Sequence, residues 1–321
     1  MRKSSVDAGR ALSGRALQTA TQASYHGSRF DQIRLFTSDR SVPLGPGMTR
    51  PGGNPLGEAL GLEIETSSGS IRNNDTLTDI LLGYVFPQSG FPADFFRIEH
   101  DGSLTGNSTA ECVTQTMTPA ALRNLYPAFK CLWAKYFSGL GIMPNDSCGM
   151  HVNLSNGMFG LKSEPRELAI RKLAYIVNHH YRLIAVAVNR DLRYTTYCGQ
   201  MSVWADKATA KTRTMDAWSN HSVSYNLGHY DNGADSGRVE LRLVGPQTSY
   251  PCFRNSMEVV LHLVKAAKKL SWADCDYVSK IFSGCNQYVF DRLKSNVRNA
   301  GLIDLQTLED IRPTVKHVEL V

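Results

Sequence analysis

Two glutamates in the stretch Gly61–Thr66, GLEIET, are the residues of this sequence best suited to chemistry. Glu63 and Glu65 alternate with Leu62 and Ile64, which is the period of a β-strand and places both carboxylates on one face, about 7 Å apart. Neighbouring carboxylates repel each other, and a divalent cation relieves the repulsion by taking their oxygens as ligands. Taken alone, the stretch is more simply interpreted as an ordinary strand with two acids on its solvent face.

Three further strand-like stretches carry acids, histidine or arginine at alternate positions. They are AECVT with Glu111, CGMHVNL with His151 and Asn153, and RVELRL with Arg238, Glu240 and Arg242. A solvent-facing sheet surface explains any one stretch, but four of them favour a shared site. Together they supply ligands for two hard cations such as Mg²⁺ or Mn²⁺, namely Glu63, Glu65, Glu111, His151 and Glu240. Arg238 and Arg242 add the positive charge that a phosphoryl group in transfer requires.

The surrounding pattern predicts the elements that position these stretches. FFRIEH over 95–100 is typical of a strand, and Asp101 begins a turn that leads to the partner strand AECVT. Thr118 and Pro119 predict the start of a helix to about Tyr136, and a longer helix is expected over 163–188. Residues 198–220 are predicted to be a polar, basic loop. From residue 253 onward the chain is expected to be mostly helical, over Asn255–Leu270, Trp272–Phe282, Gln287–Asn299 and Leu305–Ile311.

Strands interspersed with helices and followed by helices indicate an α+β fold with a mainly antiparallel sheet. We predict a flexible basic arm over 1–56, a catalytic domain over 57–270 and a C-terminal helical extension over 271–321 that packs on the same domain. Of the net charge of +6, the first 50 residues carry +5, from eight basic and three acidic residues. The body therefore gives no indication of a nucleic-acid groove.

Composition also bears on the compartment. The longest plainly apolar run, over 183–188, is far shorter than a membrane span, and no apolar segment of a secretory signal follows the basic start. Seven scattered cysteines without a CxxC pair fit a reduced compartment with thiols better than disulfides or a zinc site. We predict a cytoplasmic protein without membrane partners. An organellar transit peptide is the alternative interpretation of the Arg- and Ser-rich arm.

The order of these motifs resembles a known family. GLEIE, then DGSL with a following glutamate, then CGMHV, then RVELR running into a proline-containing loop and a helix, is similar to the amidoligases. These are carboxylate–amine ligases related to glutamine synthetase and glutamate–cysteine ligase. The resemblance covers about residues 60–270. Each motif is short, and the specificity of the signal lies in their order.

The resemblance implies roles for individual residues. Glu65 with Glu111 would hold the metal nearer the acceptor substrate, and Glu63, His151 and Glu240 would hold the metal nearer the ATP phosphates. Arg242 would stabilise the γ-phosphoryl group, with Arg238 beside it, and Asp101 would be a substrate or structural residue of the site. The residues predicted to contact the nucleotide are Asn153, Arg242, Lys211 and Arg213. Many relatives carry histidine at the position of Asn153, which is a poorer metal ligand.

The fold implied by the resemblance is an antiparallel sheet curved into a half-barrel, with metal ligands on the concave face and helices behind. The implied reaction uses ATP to phosphorylate a carboxylate, after which an amine displaces phosphate to form an amide or isopeptide bond. Its substrates would be a carboxylate and an amine, with peptides and polyamines among the options. Three alternatives remain open at this stage. They are phosphoryl transfer to a guanidino or other acceptor, a non-catalytic binding or structural relative, and a metal-dependent hydrolase.

Overall fold

The structure is a computed structural model that describes residues 58–91, 95–99, 101, 103–193, 198–212, 222–227 and 237–311. The predicted arm over 1–56 and Arg213 therefore lie outside the described residues. Within these ranges the fold is α+β, with one open antiparallel sheet of seven strands backed by helices. The predicted fold class is confirmed at this level.

Strand β1 lies in the middle of the sheet, and it contains the GLEIET stretch. The strands are β1 Leu60–Ser68, β2 Phe96–Glu99, β3 Ser108–Thr114, β4 Ile142–Met143, β5 Met150–Ser155, β6 Tyr225–Asn226 and β7 Arg238–Leu241. Their order is β2-β3-β1-β5-β7-β6, and the two-residue β4 pairs with β1 beside this path. All of these pairings are antiparallel.

The strand register determines which side chains share a face. Glu65 lies opposite Glu111 of β3, and Glu63 lies opposite His151 of β5. Directly opposed residues of antiparallel strands point to the same side of the sheet. The polar residues at alternate positions of neighbouring strands therefore lie side by side on one face of the sheet. A shared site requires this alignment.

The other face of the sheet belongs to the hydrophobic core. Its side chains are fully buried and form one cluster with the apolar sides of the helices; they include Leu60, Leu62, Ile64, Cys112, Met150, Val152, Leu154, Val239 and Leu241. Burial of a large aliphatic side chain contributes about 1.5–3 kcal/mol, so this face is where the sheet gains stability.

Helical segments make up most of the remaining described chain. The α-helices are Asn74–Ile80, Phe86–Ser89, Pro119–Asn124, Tyr126–Cys131, Ser138–Leu140, Ser163–His179, Tyr181–Ala187, Ser202–Ala205, Lys207–Thr212, Tyr250–Lys269, Val278–Ile281, Gln287–Arg292 and Leu305–Asp310. Wider π-helical turns occupy Leu81–Val85, Leu132–Phe137 and Leu293–Val297, and 3₁₀ turns occupy Asn156–Phe159 and Asp274–Asp276. None of the helices in the described ranges is long and apolar enough to cross a membrane.

Helix starts follow the capping signals of the sequence. The Thr118 hydroxyl accepts a hydrogen bond from the Ala121 N–H at 3.1 Å, with Pro119 in the first turn. The 20-residue helix Tyr250–Lys269 begins in the same way, because Ser249 Oγ accepts from the Cys252 N–H at 3.4 Å. Such caps satisfy donors that have no partner within the helix.

Two element predictions were wrong. Residues 198–220 were expected to form a loop, yet the described part contains the helices Ser202–Ala205 and Lys207–Thr212. The helix expected over 272–282 is replaced by the Asp274–Asp276 turn and a single helical turn. The Ser271 hydroxyl bonds both the backbone N–H and the carboxylate of Asp274, and this local pairing competes with a continuous helix.

Candidate metal centre

The polar side chains of the sheet form one buried surface, which we call the polar face. It comprises six acids, three arginines, one histidine and one asparagine: Glu63, Glu65, Glu99, Asp101, Glu111, Glu240, Arg97, Arg238, Arg242, His151 and Asn153. None of them is more than 6% exposed. Burying charges away from water is costly unless opposite charges compensate for them, and here acids outnumber arginines by two to one.

His151 is the hub of the polar face. Its Nδ1 lies 3.0 Å from Glu63 Oε2 and 3.5 Å from Glu240 Oε1, and its Nε2 lies 3.5 Å from Glu65 Oε1. Arg242 Nη1 also approaches Nδ1, at 3.5 Å. One imidazole thus connects residues from three strands. The structure brings together five residues that the sequence predicted to share a site.

Two groups of side chains on the polar face have the arrangement of cation ligands. In the first, ligand atoms of Glu63, Glu111 and His151 all lie within 4.8 Å of one another. In the second, the same holds for Glu65, Asp101 and Glu111. Glu63 and Glu65 fall into different groups, and Glu111 belongs to both. Carboxylate oxygens with a single imidazole nitrogen are a donor set suited to Mg²⁺ or Mn²⁺.

Asp101 occupies a more central place than the sequence suggested. It lies two residues beyond the end of β2, and its Oδ1 accepts a hydrogen bond from the Ser103 N–H at 2.8 Å, which stabilises the turn. The side chain is 1% exposed and lies with Glu65 and Glu111. Sequence reasoning treated it as a substrate or structural residue, whereas the geometry adds it as a third carboxylate to a group that could hold a cation.

Burial raises the pKa of Glu65 above its usual value; His151 opposes this, and Asp101 adds to it. One oxygen of the carboxylate, Oε2, accepts a hydrogen bond from the Gly149 N–H at 2.5 Å. A bound cation would compensate the charge that burial disfavours, so the residues present fit a divalent metal ion.

Glu240 belongs to neither group, although the sequence predicted it as a metal ligand. Its Oε1 accepts from Arg242 Nη1 at 2.5 Å and its Oε2 accepts from Asn226 Nδ2 at 2.9 Å. Burial opposes ionisation of this carboxyl and is the largest single influence, but Arg242, His151 and Arg238 together outweigh it and the pKa is lowered. The pair also raises the pKa of the Arg242 guanidinium, which stays charged.

Asn153 links the metal-ligand side of the polar face to Arg238. Its Nδ2 donates to Glu63 Oε1 at 3.0 Å, and its Oδ1 accepts from Arg238 Nε at 2.8 Å. The amide therefore holds the carboxylate of Glu63 by its second oxygen. Asparagine can make both contacts because its side chain donates on one side and accepts on the other.

Lys211 is not among the residues of the polar face. It is exposed on the helix Lys207–Thr212, and its Nζ lies 5.7 Å from the centre of the Trp272 ring. Arg213, the other basic residue predicted to contact a nucleotide from this segment, lies outside the described residues.

Sequence reasoning missed three polar residues around the centre. Arg97 and Glu99 of β2 form a buried ion pair, and Glu99 lies opposite Glu111. Asn226 of β6 bonds Glu240. The sequence FFRIEH could have identified Arg97 and Glu99, because charged residues alternate with apolar ones there as they do in GLEIET.

Comparison with known proteins adds no relative. No protein-family model matches the chain, and no curated protein matches it.

Proposed function

We propose that this protein is an ATP-dependent carboxylate–amine ligase that works at a two-metal site. The observation that carries the proposal is the buried polar face, where two cation-ligand groups share Glu111 and Arg242 lies beside them. The motif order that resembles the amidoligases supports the same reading, and we propose with it a half-barrel curvature of the glutamine synthetase type for the sheet. ATP and Mg²⁺ or Mn²⁺ would be the cofactors.

The cations would be held by two ligand groups that differ in composition. Glu65, Asp101 and Glu111 offer carboxylates only, whereas Glu63 and His151 complete the second group with Glu111. When bound, divalent ions neutralise the crowded phosphate and carboxylate oxygens of the reactants. Asp101 joins the proposed ligands, and Glu240 becomes a residue that orients Arg242 and His151.

The arginines of the polar face would bind the phosphoryl oxygens. Arg242 is buried and held at Nη1 by Glu240, so its guanidinium is oriented before a substrate arrives. Arg238 is oriented by Asn153 in the same manner. Fixed cations of this kind stabilise charge that develops during transfer without reorganisation, and bidentate contact suits phosphate geometry.

The proposed reaction follows from the poor electrophilicity of a carboxylate. Attack of the substrate carboxylate on the γ-phosphorus of ATP forms an acyl phosphate and releases ADP. An amine then adds to the acyl carbon, loses a proton and displaces inorganic phosphate, leaving an amide. Burial of the polar face would exclude water, which otherwise hydrolyses the acyl phosphate.

The test is a screen for Mg²⁺-dependent release of phosphate from ATP across pools of carboxylates and amines, followed by mass analysis of the products. The proposal expects turnover that needs both a carboxylate and an amine, with an amide product. A stable phosphorylated acceptor without an amide would instead indicate a phosphotransferase. Failure to bind nucleotide in the presence of Mg²⁺ would overturn the proposal.

A further inference from the structure

Arg190 is a buried arginine whose side chain reaches the edge of the metal centre. It follows the helix Tyr181–Ala187, and its guanidinium donates only to main-chain carbonyls in the contacts observed here. The acceptors lie in the chain before β5 and after β7: Leu243 O at 3.3 Å, Cys148 O at 3.4 Å, Arg242 O at 3.4 Å and Val244 O at 2.6 Å. One side chain thus ties together the backbone of two segments that carry site residues.

The guanidinium occupies the space that a side chain at position 149 would take. A Cβ on Gly149 would lie 2.6 Å from Arg190 Nη2 and 3.5 Å from Glu65 Oε2. Only glycine leaves room for the arginine beside Glu65. The Gly149 N–H donates to Glu65 Oε2 at 2.5 Å, and the carbonyl of the same peptide group, Cys148 O, accepts from Arg190 Nη1 at 3.4 Å. Arg190 therefore holds one side of the planar peptide whose other side binds the carboxylate.

The connector that carries Arg190 is locked in one conformation. Asn189 adopts a left-handed backbone with φ of 65°, and its Nδ2 donates to Pro246 O at 2.6 Å. The Gly245 N–H donates to Val188 O at 2.9 Å, and a Cβ on Gly245 would lie 1.9 Å from Asn189 O. From this closely packed connector, the side chain of Arg190 reaches Gly149 beside Glu65.

We propose that Arg190 is a positioning residue for the cation-binding group of Glu65, Asp101 and Glu111. It acts through Gly149, whose N–H sets the orientation of the Glu65 carboxylate, and through its own charge beside that carboxylate. The inference rests on the metal-binding part of the proposed function. Partners that orient a ligand without touching the metal commonly change metal affinity about 10- to 100-fold when they are removed.

Arg292 provides a matched control. It is also a buried arginine, and it binds the same connector, with Nε donating to Ala187 O at 3.0 Å and Nη2 donating to Asn189 Oδ1 at 2.9 Å. None of its observed hydrogen bonds reaches the polar face. Arg190→Met and Arg292→Met should therefore lower stability alike, and only the first should change cation binding.

The experiment is a titration of the full chain with Mn²⁺, followed by the electron paramagnetic resonance signal of the unbound ion. Arg190→Met, Arg190→Lys and Arg292→Met are measured alone and combined with Glu65→Ala. We expect Arg190→Met to weaken one of two sites by about 10-fold or more, and to change nothing further once Glu65→Ala has removed that site. Arg190→Lys keeps the charge without the planar fork, and its Mn²⁺ affinity at this site should lie between those of the unchanged protein and Arg190→Met.

The outcomes separate the inference from the proposed function. If the unchanged protein binds no Mn²⁺, the two-metal proposal fails and the inference fails with it. If it binds two ions and Arg190→Met leaves both affinities unchanged, the inference alone is wrong. Equal weakening of both sites, or of the site that survives Glu65→Ala, would indicate general distortion and also overturn it. Should Arg190→Met fail to fold, the Mn²⁺ affinities of Arg190→Lys are compared with those of the unchanged protein instead.

Discussion

The two ends of the polar face differ in how their charges are satisfied. At the mixed end (Glu63, His151, Asn153, Glu240 and Arg242), each acid has a basic or amide partner from the protein itself. At the acidic end (Glu65, Asp101 and Glu111), three carboxylates converge within 4.8 Å. The mixed end pairs its acids with basic and amide side chains, whereas the acidic end brings like charges together, and a proton or a cation would reduce their repulsion.

The apolar face of the sheet can offset the cost of burying three carboxylates at the acidic end. The same strands bury Leu62, Ile64 and Val152 on their other face, which contributes favourable free energy. Because net stability is only about 5–15 kcal/mol, a protein can hold such an end only if other burial offsets it or a ligand relieves it. We therefore expect cation removal to affect the acidic end first.

The largest effect should come from removing one acid at each end. Glu65→Ala and Glu240→Ala should each lower Mg²⁺-dependent ATP turnover by about 100- to 1,000-fold, the usual loss when one electrostatic group of an active site is removed. Glu240→Ala should also destabilise the fold, because it leaves the buried Arg242 without this partner. Steady-state phosphate release and thermal unfolding measure the two effects.

Glu167→Ala is the control for those variants, since Glu167 pairs with Arg171 on a partly exposed helix surface outside the polar face and its loss should leave turnover unchanged. Turnover that survives Glu65→Ala would contradict the two-metal assignment. Turnover lost in Glu65→Ala but kept in Glu240→Ala would mean that only the acidic end takes part in the reaction.

A smaller effect should follow from Asn153→Ala, which tests the mixed end alone. The change removes the hydrogen bonds from Asn153 to Glu63 and from Arg238 to Asn153. We expect about 10-fold weaker Mn²⁺ binding at the site of Glu63, and an unchanged site at Glu65. The same Mn²⁺ titration measures both, and equal weakening of the two sites would show that the ends are not independent.

Sequence reasoning could place three acids and a histidine on one face of the sheet because strand alternation is a local signal. Glu63, Glu65, Glu111 and His151 each occupy an alternate position of a short strand, and the register then aligns them. Asp101 was underestimated because a turn residue has no periodicity that gives its direction. The helical turns over 202–212 were missed because a polar, basic composition is shared by loops and exposed helices.

Arg190 could not have been found from the sequence at all. It lies 41 residues beyond Gly149, and its position depends on how a helix end meets the sheet. Its partners in the structure are main-chain carbonyls, which every residue offers, so no residue type marks the contact. Tertiary packing alone decides such a position.

Ile64→Val tests the opposite face of the same strand. Ile64 is 3% exposed and belongs to the core, so losing one methylene should lower the free energy of unfolding by about 1 kcal/mol. Its neighbour Glu65 points to the polar face, and Mn²⁺ affinity should not change. Chemical denaturation with and without Mn²⁺ measures both, and a change in affinity would show that the two faces are coupled through β1.

The smallest effect is a pH dependence of opposite sign at the two ends. Because the pKa of Glu65 is raised on folding, metal-free native protein binds more protons there than the unfolded chain, and this contribution to stability is lost as pH rises above about 4.5. The pKa of Glu240 is lowered, so its contribution to stability is present above that pH and lost on acidification.

In the presence of EDTA, Glu65→Gln should therefore gain stability relative to the unchanged protein as pH rises, and Glu240→Gln should lose it. The comparison uses the sign of each difference, because coupled carboxyl groups share the titration. Urea denaturation between pH 4.5 and 8 measures them, and Mn²⁺ should reverse the first difference only, since Glu65 would then be needed as a ligand.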